Sequence, residues 1–593
     1  MTSHSTPNAA PAVLGRARPG LALILGLALA LAGSAAGAQV VERNPPPGQT
    51  VSPGVILGPN TVPKGQDDTP IGPALRGVVL LGPGEPAHVG EVAGVRSSAS
   101  VRLDAAKGQR VLGPFIGRPI SRKLIAQMEA AIARFYRGRR YPFVSLSTPE
   151  QEISGGTVQI RVLEFHRGRV GVTGVSRTPP AHVTDRVRLA DGDPINTTRL
   201  GQDLAWLNRY PFRQVQAIFT PGANLGDADL ELAATESRPW RVYAGYANSG
   251  SPLTGWDRYY AGAILGGLLE RDSVLSYQFT ASGDFFYANG DFPGHTAHPQ
   301  YVSHGVRLAL PNAPRQQLEA AFDAVETNVV SAPFSVRQTT LDGTLGYRFA
   351  LSNVVRLPGD ANFGVEMRHQ ERKTFFGGVT ALSGQVNVYQ VYGGWADQWT
   401  DPKGRTLLDV TVHVSPGGLG SDNSASAFNT YTQGRVTHAG YAYVDVNVLR
   451  YTRLPNRWAL SNGLFAQLTD RPIPDSEQIA VGGHALVRGY TIDDGAFDTG
   501  LVSRNELRAP SMSLLKKSGR MTDDVSPFAF VDVGWARDNF TKADAVPVSA
   551  GLGADYRLGP WLNANLAVAH AFRDAAATRS GDWTLIVRVT VSY

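Results

Sequence analysis

The C-terminal part of the chain alternates between apolar and polar side chains. Leu408, Val410, Val412 and Val414 are separated by Asp409, Thr411 and His413. Ala442, Val444, Val446 and Val448 alternate with Tyr441, Tyr443, Asp445 and Asn447. The last run sets Trp583, Leu585, Val587, Val589, Val591 and Tyr593 against Thr584, Arg588, Thr590 and Ser592. A period of two puts successive side chains on opposite faces of a strand. From Arg241 onward the pattern predicts strands throughout and no helix of several turns.

A long apolar face, backed by polar residues that include an arginine, suits lipid on one side and water on the other. A soluble sandwich has the same period but hides its apolar face against a second sheet. Lipid cannot satisfy an open edge, so such a sheet must close on itself. Residues 241–593 have room for about 16 strands at ~22 residues for each strand and its connection. The expected fold of residues 237–593 is an antiparallel transmembrane β-barrel.

Upstream the spacing becomes helical. Ser121 is positioned to cap a helix carrying Leu124, Met128, Ile132 and Phe135 and ending near Arg137-Gly138. Strand-like runs lie at Leu75 to Leu81, Phe143 to Leu146 and Thr157 to Leu163, the last with Val158, Ile160 and Val162 on one face. The plan repeats, with a strand at Arg169 to Val175 and a helix opened by Pro179 and Pro180. A second helix from Thr197 or Thr198 carries Leu200, Leu204 and Leu207, before strands at Val215 to Phe219 and Asp229 to Ala233. Two small α+β domains are expected, at residues 75–164 and 165–236. Between 39 and 74 the prolines at 45, 46, 47, 53, 59, 63, 70 and 73 exclude a long helix and predict an extended linker or plug-like segment.

The N-terminus reads as a signal peptide over residues 1–38. Arg16 and Arg18 flank an apolar core from Leu21 to Leu31, and Ala36-Gly37-Ala38 supplies small residues for cleavage before Gln39. The complete lack of Cys removes disulfides, thiolate chemistry and Cys-ligated zinc. The mean hydropathy of −0.14 fits a barrel, whose apolar residues occupy every other position. Net charge +6 arises from 56 basic and 50 acidic residues with no long basic run, which gives no case for nucleic acid.

Catalytic motifs are missing: there is no G-x-S-x-G, P-loop, H-E-x-x-H or G-x-G-x-x-G, so neither enzymatic activity nor a cofactor is expected. His295, His298 and His304 are close enough to raise zinc, but their Gly- and Pro-rich surroundings read as a solvated loop, and no metal site is assigned. Asp493-Asp494 and Asp523-Asp524 read as turn residues or loop ligands rather than as a general acid and base.

The most specific signal is Val481-Gly-Gly-His-Ala-Leu-Val-Arg-Gly-Tyr490. Arg488, between Val487 and Gly489 and beside Tyr490, suits a tight loop entering a crowded polar interior. A guanidinium buried there needs a carboxylate. Asp532 lies in the strand-like run Phe528 to Val533, with Phe530 before it and Gly534 after, and Arg pairs with carboxylates through two bonds. Arg488 and Asp532 are the expected pair.

The V-R-G-Y loop followed by the F-x-D-x-G strand resembles the signature of the outer-membrane superfamily that joins periplasmic POTRA domains to a barrel. Pro149-Glu-Gln151 with Gly155 and Gly156 resembles the first POTRA domain of the two-partner-secretion transporters, the haemolysin secretion/activation type. Leu207-Asn-Arg-Tyr-Pro211 with Phe219-Thr-Pro-Gly222 resembles the second. Tyr246-Ala-Asn-Ser-Gly250 with Leu253-Thr-Gly255 resembles the first barrel strand, although Ala247 replaces an acidic residue.

The resemblance covers residues 75–593 and carries definite expectations. The loop near 481–500 folds into the lumen, where its Arg meets the Asp of the barrel wall. The barrel has 16 strands and sits in the lipid of a Gram-negative outer membrane, with the POTRA domains in the periplasm. Tyr593 is the C-terminal aromatic read by the barrel assembly machinery. The partner is a secreted exoprotein, caught unfolded and passed to the cell surface. Such transporters usually begin with a plug helix, which the prolines predict to be absent, shorter or non-helical. A barrel assembly factor shares the loop but usually has more POTRA domains. A passive solute porin has neither POTRA region nor signature loop.

Overall fold

The computed structural model describes residues 67–287, 298–355, 357–515 and 522–593. The expected signal peptide, the linker up to residue 66 and His295 lie outside the described residues. The chain forms two units, one ending at Pro239 and the other running from Trp240 to Tyr593.

The first unit contains strands β1 (Pro70–Ala74), β2 (Gly77–Leu81), β3 (Gly94–Ser97), β4 (Pro119–Ser121), β5 (Val144–Ser147), β6 (Thr157–Glu164), β7 (His166–Thr173), β8 (Arg213–Pro221) and β9 (Asp227–Glu236). Helix Arg122–Gly138 starts where the sequence predicts: Ser121 Oγ accepts the Leu124 N–H at 3.1 Å. Its Leu124, Met128 and Ile132 pack on Val158, Ile160 and Val162 in the core of the first α+β domain. Tyr136, rather than Phe135, completes the buried face, and its hydroxyl donates to Glu164 at 2.6 Å.

Two departures appear here. Residues 70–74, expected in the linker, form β1 and pair antiparallel with β4. Proline is tolerated because β1 has a neighbour on one side only. A helix at Ala105–Leu112, capped by Asp104, and the strand β3 were both missed. The helix buries only Gly108 and Leu112, too little for an apolar period to show.

The second α+β domain is a β7-β9-β8 sheet covered by helices Pro180–Thr184 and Thr197–Leu207. Asn196, one residue before the expected start, caps the longer helix by accepting from the N–H groups of Thr198 and Arg199. Leu200, Leu204 and Leu207 then meet Val215, Leu230 and Leu232.

The barrel strands are β10 (Trp240–Ala247), β11 (Arg258–Gly266), β12 (Val274–Ala281), β13 (Tyr301–Ala313), β14 (Gln316–Ser331), β15 (Phe334–Ala350), β16 (Asp360–Phe376), β17 (Val379–Asp401), β18 (Gly404–Ser415), β19 (Tyr441–Arg453) and β20 (Ala459–Leu468). After a long connection holding β21 (Ile479–Ala480) and β22 (Ala496–Phe497) come β23 (Thr499–Arg508), β24 (Asp523–Arg537), β25 (Asp544–Ala545), β26 (Val548–Leu558), β27 (Leu562–Ala571) and β28 (Trp583–Ser592). The short β25 and β26 both pair with β24 and are two parts of one strand broken before Pro547. The barrel is closed, antiparallel and 16-stranded, and it shuts where Tyr243 to Ala247 of β10 meet Ser592 to Arg588 of β28.

Alternation sorts the two faces as the sequence predicts. Leu585 and Val591 are exposed outside, whereas Ile586 and Ser592 are buried inside. No described helix is long and apolar enough to cross a membrane. A helix of seven residues, Ala425–Tyr431, interrupts the β region in the connection after β18.

The lumenal loop, a candidate functional site

Residues 469–498 connect β20 to β23 and fold back against the inner wall. The stem is the short β21–β22 ladder. Beyond it the signature segment closes on itself: Gly483 N–H donates to Tyr490 C=O at 2.8 Å, and Val487 N–H to Val481 C=O at 3.0 Å. Gly489 sits at φ +89°, a conformation that disfavours any residue with a Cβ. Turning the chain there points Arg488 at the wall.

Arg488 meets Asp532 through two side-chain bonds, Nε to Oδ2 at 2.7 Å and Nη2 to Oδ1 at 2.8 Å. Its backbone N–H adds a third bond to Oδ2 at 3.2 Å. Arg488 is 4% exposed and Asp532 0%. Asp532 is inward on β24 because it stands opposite Arg504 of β23 and Ser549 of β26. The remaining nitrogen, Nη1, donates to Glu506 of β23 at 2.7 Å. Glu506 also receives Arg508 at 2.6 Å, and Arg508 reaches Asp555 of β26 at 2.7 Å.

The other motif residues frame this pair. The guanidinium lies 3.7 Å from the centre of the Phe530 ring, a stacked cation–π contact. Phe530, Phe528, Ala567, Ala569 and Ile586 form an apolar cluster on the inner wall. Val487 is fully buried beside Tyr490, Val502 and Ala571. Tyr490 Oη accepts from the N–H groups of Val548 and Arg573, both at 3.2 Å, which pins the loop between β26 and the connection after β27. A Cβ on Gly534 would come within 2.9 Å of Pro547 and 3.1 Å of Val487, so only glycine leaves room for the loop. Tyr593 stands apart, on the outer face beside Trp240, with its backbone paired to Val242.

Several residues of the site carry no motif. Glu506 reads in the sequence as one of several alternating charges in Arg504-Asn-Glu-Leu-Arg508. Asp494 is one of the residues expected to be a turn or loop ligand. It accepts from Thr491, Ala577 and Thr578 N–H at 2.7 to 2.8 Å, and from the Thr578 hydroxyl at 2.6 Å. Asp493 accepts Leu253 N–H at 3.0 Å. Glu477, unmarked in the sequence, receives Tyr443 Oη at 2.9 Å, Gln390 at 3.0 Å and Arg368 of β16. The loop is therefore held on several sides of the wall.

The described histidines of the zinc alternative are separately engaged. His298 faces Glu326 at 3.2 Å and His304 faces Tyr277 Oη at 2.9 Å. Among the described residues no group of His, Cys, Asp and Glu is arranged to hold a metal ion.

A closed 16-stranded barrel whose signature loop is pinned to its inner wall, preceded by small α+β domains, defines an outer-membrane transporter of the POTRA–barrel class. The haemolysin secretion/activation protein family ShlB/FhaC/HecB matches residues 326–558, and the ShlB-type POTRA domain matches residues 91–164. The outer membrane transporter CdiB of Dickeya dadantii (strain 3937) is 21% identical over 423 residues, spanning 70% of this chain and 71% of CdiB. The CdiB of Escherichia coli is 23% identical over 470 residues, 75% and 72% of the two chains. The heme/hemopexin transporter protein HuxB of Haemophilus influenzae (strain ATCC 51907 / DSM 11121 / KW20 / Rd) is 21% identical over 407 residues, 67% and 68%. In fold, the chain resembles the solved CdiB from Escherichia coli with a TM-score of 0.65 at 17% identity, covering 98% of this chain and 100% of that one. The ShlB/FhaC/HecB match, the POTRA match and these relatives agree on a two-partner-secretion transporter of the outer membrane, with periplasmic POTRA domains, that translocates a secreted exoprotein.

Proposed function

We propose that the POTRA unit takes hold of the exoprotein in unfolded form, and that the loop 469–498 governs its passage through the barrel. The observation that carries this reading is Arg488 held on Asp532 inside a closed barrel. A buried two-bond pair fixes the loop in the space a translocating chain must cross.

The sheet of the second α+β domain offers two edges to an extended partner. On the face of β8 turned away from the core, Gln214, Gln216 and Ile218 are half-buried. Arg169, Gly171 and Thr173 of β7 are exposed, and a Cβ on Gly171 would meet nothing within 4 Å. Edge β7 therefore favours strand addition, in which backbone bonds bind a segment without demanding a particular sequence. The apolar outer face of the barrel contacts outer-membrane lipid, and the last strand with Tyr593 serves recognition by the barrel assembly machinery. The periplasm has no ATP, so folding of the exoprotein outside the cell keeps it from sliding back. Passage of this kind asks for neither a catalytic group nor a cofactor.

The test is deletion of the protein, with comparison of the culture medium and the outer membrane. Loss of one or two large secreted proteins from the medium, with other barrels unchanged, is the expected result. A broad fall in outer-membrane barrels would overturn the reading in favour of an assembly factor. A photo-crosslinker at Gly171 that captures the exoprotein, where one at Ile218 does not, would identify the capture edge.

A further inference from the structure

Resting on that transport reading, we propose that Arg435 is a positioning residue for export. It clamps the base of the loop 469–498, separately from the Arg488 tip, and joins it to two other connections on the same end of the barrel.

Arg435 lies in the connection 416–440 between β18 and β19. This connection folds inward because Phe428 and Tyr431 of helix Ala425–Tyr431 are buried against inward-facing Val386 and Val388 of β17, Tyr441 and Tyr443 of β19, and Ile473 of the loop. Arg435 follows this helix to the base of the loop. There Nη1 donates to Asp498 at 3.0 Å, and Nη2 donates to Asp475 at 2.8 Å and to the Ile473 carbonyl. One guanidinium thus bridges the first and last parts of the loop.

Both carboxylates are committed further. Asp498 is 0% exposed and also accepts from Ile473 N–H at 2.9 Å, Gln478 Nε2 at 3.2 Å and Asn539 N–H at 2.7 Å. Asn539 belongs to the connection 538–543 between β24 and β25, and its side-chain amide donates back to the carbonyls of Thr469 and Arg471 at 3.1 and 3.3 Å. Asp475 also receives Arg372 of β16 at 3.2 Å. The base is fastened to β16 and to two neighbouring connections, while the tip is fastened to β23 and β24.

Buried carboxylates that lose their cation are strongly destabilised where they stand. A planar guanidinium can meet two carboxylates and a carbonyl at once, whereas an ammonium acts as a single point charge. Without Arg435 the base of the loop loosens, keeping the bonds from Arg372, Asn539 and the partners of Glu477, while the tip remains on Asp532. The lumen is then bounded by a loosened segment in place of one held firmly at both ends, and an exoprotein chain meets a shifting obstacle.

The natural chain has no Cys, so Ile473→Cys, at a fully buried position, reports on the clamp alone. Intact cells carrying the full-length protein are treated with a membrane-impermeant maleimide. Labelling of Ile473→Cys is expected to be slow, and about tenfold faster with Arg435→Ala, as local opening becomes easier. Arg435→Lys is expected to fall between, and Asp498→Asn, which keeps the side-chain shape, should also speed labelling. Export by Arg435→Ala should fall while the barrel retains its heat-modifiable mobility. Labelling that stays slow in both Arg435→Ala and Asp498→Asn overturns the clamp. Normal export by a rapidly labelled Arg435→Ala protein overturns the positioning role. Failure of the transport reading is seen separately, as an unchanged medium when the whole protein is deleted.

Discussion

Arg488 and Asp532, 44 residues apart in the chain, form a buried pair with both oxygens of the carboxylate engaged. The pair stands on an aromatic floor, Phe530, and is extended sideways by Glu506. Burial makes the geometry exacting, since either charge alone would be far more costly than the two together.

Arg488→Ala is expected to abolish export while the barrel still inserts. The change leaves the fully buried Asp532 without its cation, at a local cost of ~3–5 kcal/mol. Closure depends on the strand ladder, which the substitution does not touch. Heat-modifiable mobility of the outer-membrane protein and appearance of the exoprotein in the medium measure the two effects. Normal export would refute a transport role for the pair.

Glu506→Gln should weaken export without abolishing it. It removes the charge that Arg488 and Arg508 share while sparing the Asp532 bonds. A charge-assisted bond lost in this way costs ~1.5–3 kcal/mol. Proteolysis of outer-membrane vesicles should cut the loop 469–498 faster than in the parent protein, and an unchanged cleavage rate would count against this assignment.

Gly534→Ala should loosen the loop by crowding alone, with no charge altered. The added methyl group would meet Pro547 at 2.9 Å and Val487 at 3.1 Å, which overpacking places at ~1–3 kcal/mol. The temperature at which the barrel loses its heat-modifiable mobility should drop. The same substitution at Gly393, where nothing lies within 4 Å, serves as the control and should leave it unchanged.

In the periplasmic unit, Glu236 gives a pH signature. Burial pushes its carboxyl up, but bonds from Thr178, Ser176 and Arg177 outweigh that and hold it at about 2. A depressed value means the native state favours the ionised form. The stability it contributes is present above the ordinary 4.5 and is lost as pH falls through about 2. Hydrogen exchange in residues 174–178, corrected for intrinsic rates, should be faster in Glu236→Gln at neutral pH. The difference should shrink as pH falls from 4.5 toward 2; a difference constant with pH would contradict this account.

Legibility followed the strength of local signals. Helix Arg122–Gly138 was visible because Ser121 caps it and its apolar residues recur at helical spacing. Helix Ala105–Leu112 was hidden because a short, polar helix buries too few side chains to leave a pattern. The strand Pro70–Ala74 was masked by its prolines, which mean disorder in isolation but are allowed on an edge. Arg488 and Asp532 were visible because each sits among small or aromatic residues that suit a buried turn and a wall strand. Glu506 and Arg435 were not, since a charged residue among other charges reads as solvated until the fold buries it.

By itself the sequence determined that the C-terminal region is built of alternating strands, which face of the runs at 408–414, 441–448 and 583–593 meets lipid, and that one arginine must find a carboxylate. Those properties depend on near neighbours, through the period of two and the cost of an unpaired buried charge. Only the tertiary structure decided where the base of the loop 469–498 is fastened. Closing the barrel brings β16, β23 and β24 around one lumen and folds the connection 416–440 inward, so that Arg435 reaches Asp475 and Asp498. Such contacts depend on strand register and closure, which no local pattern encodes.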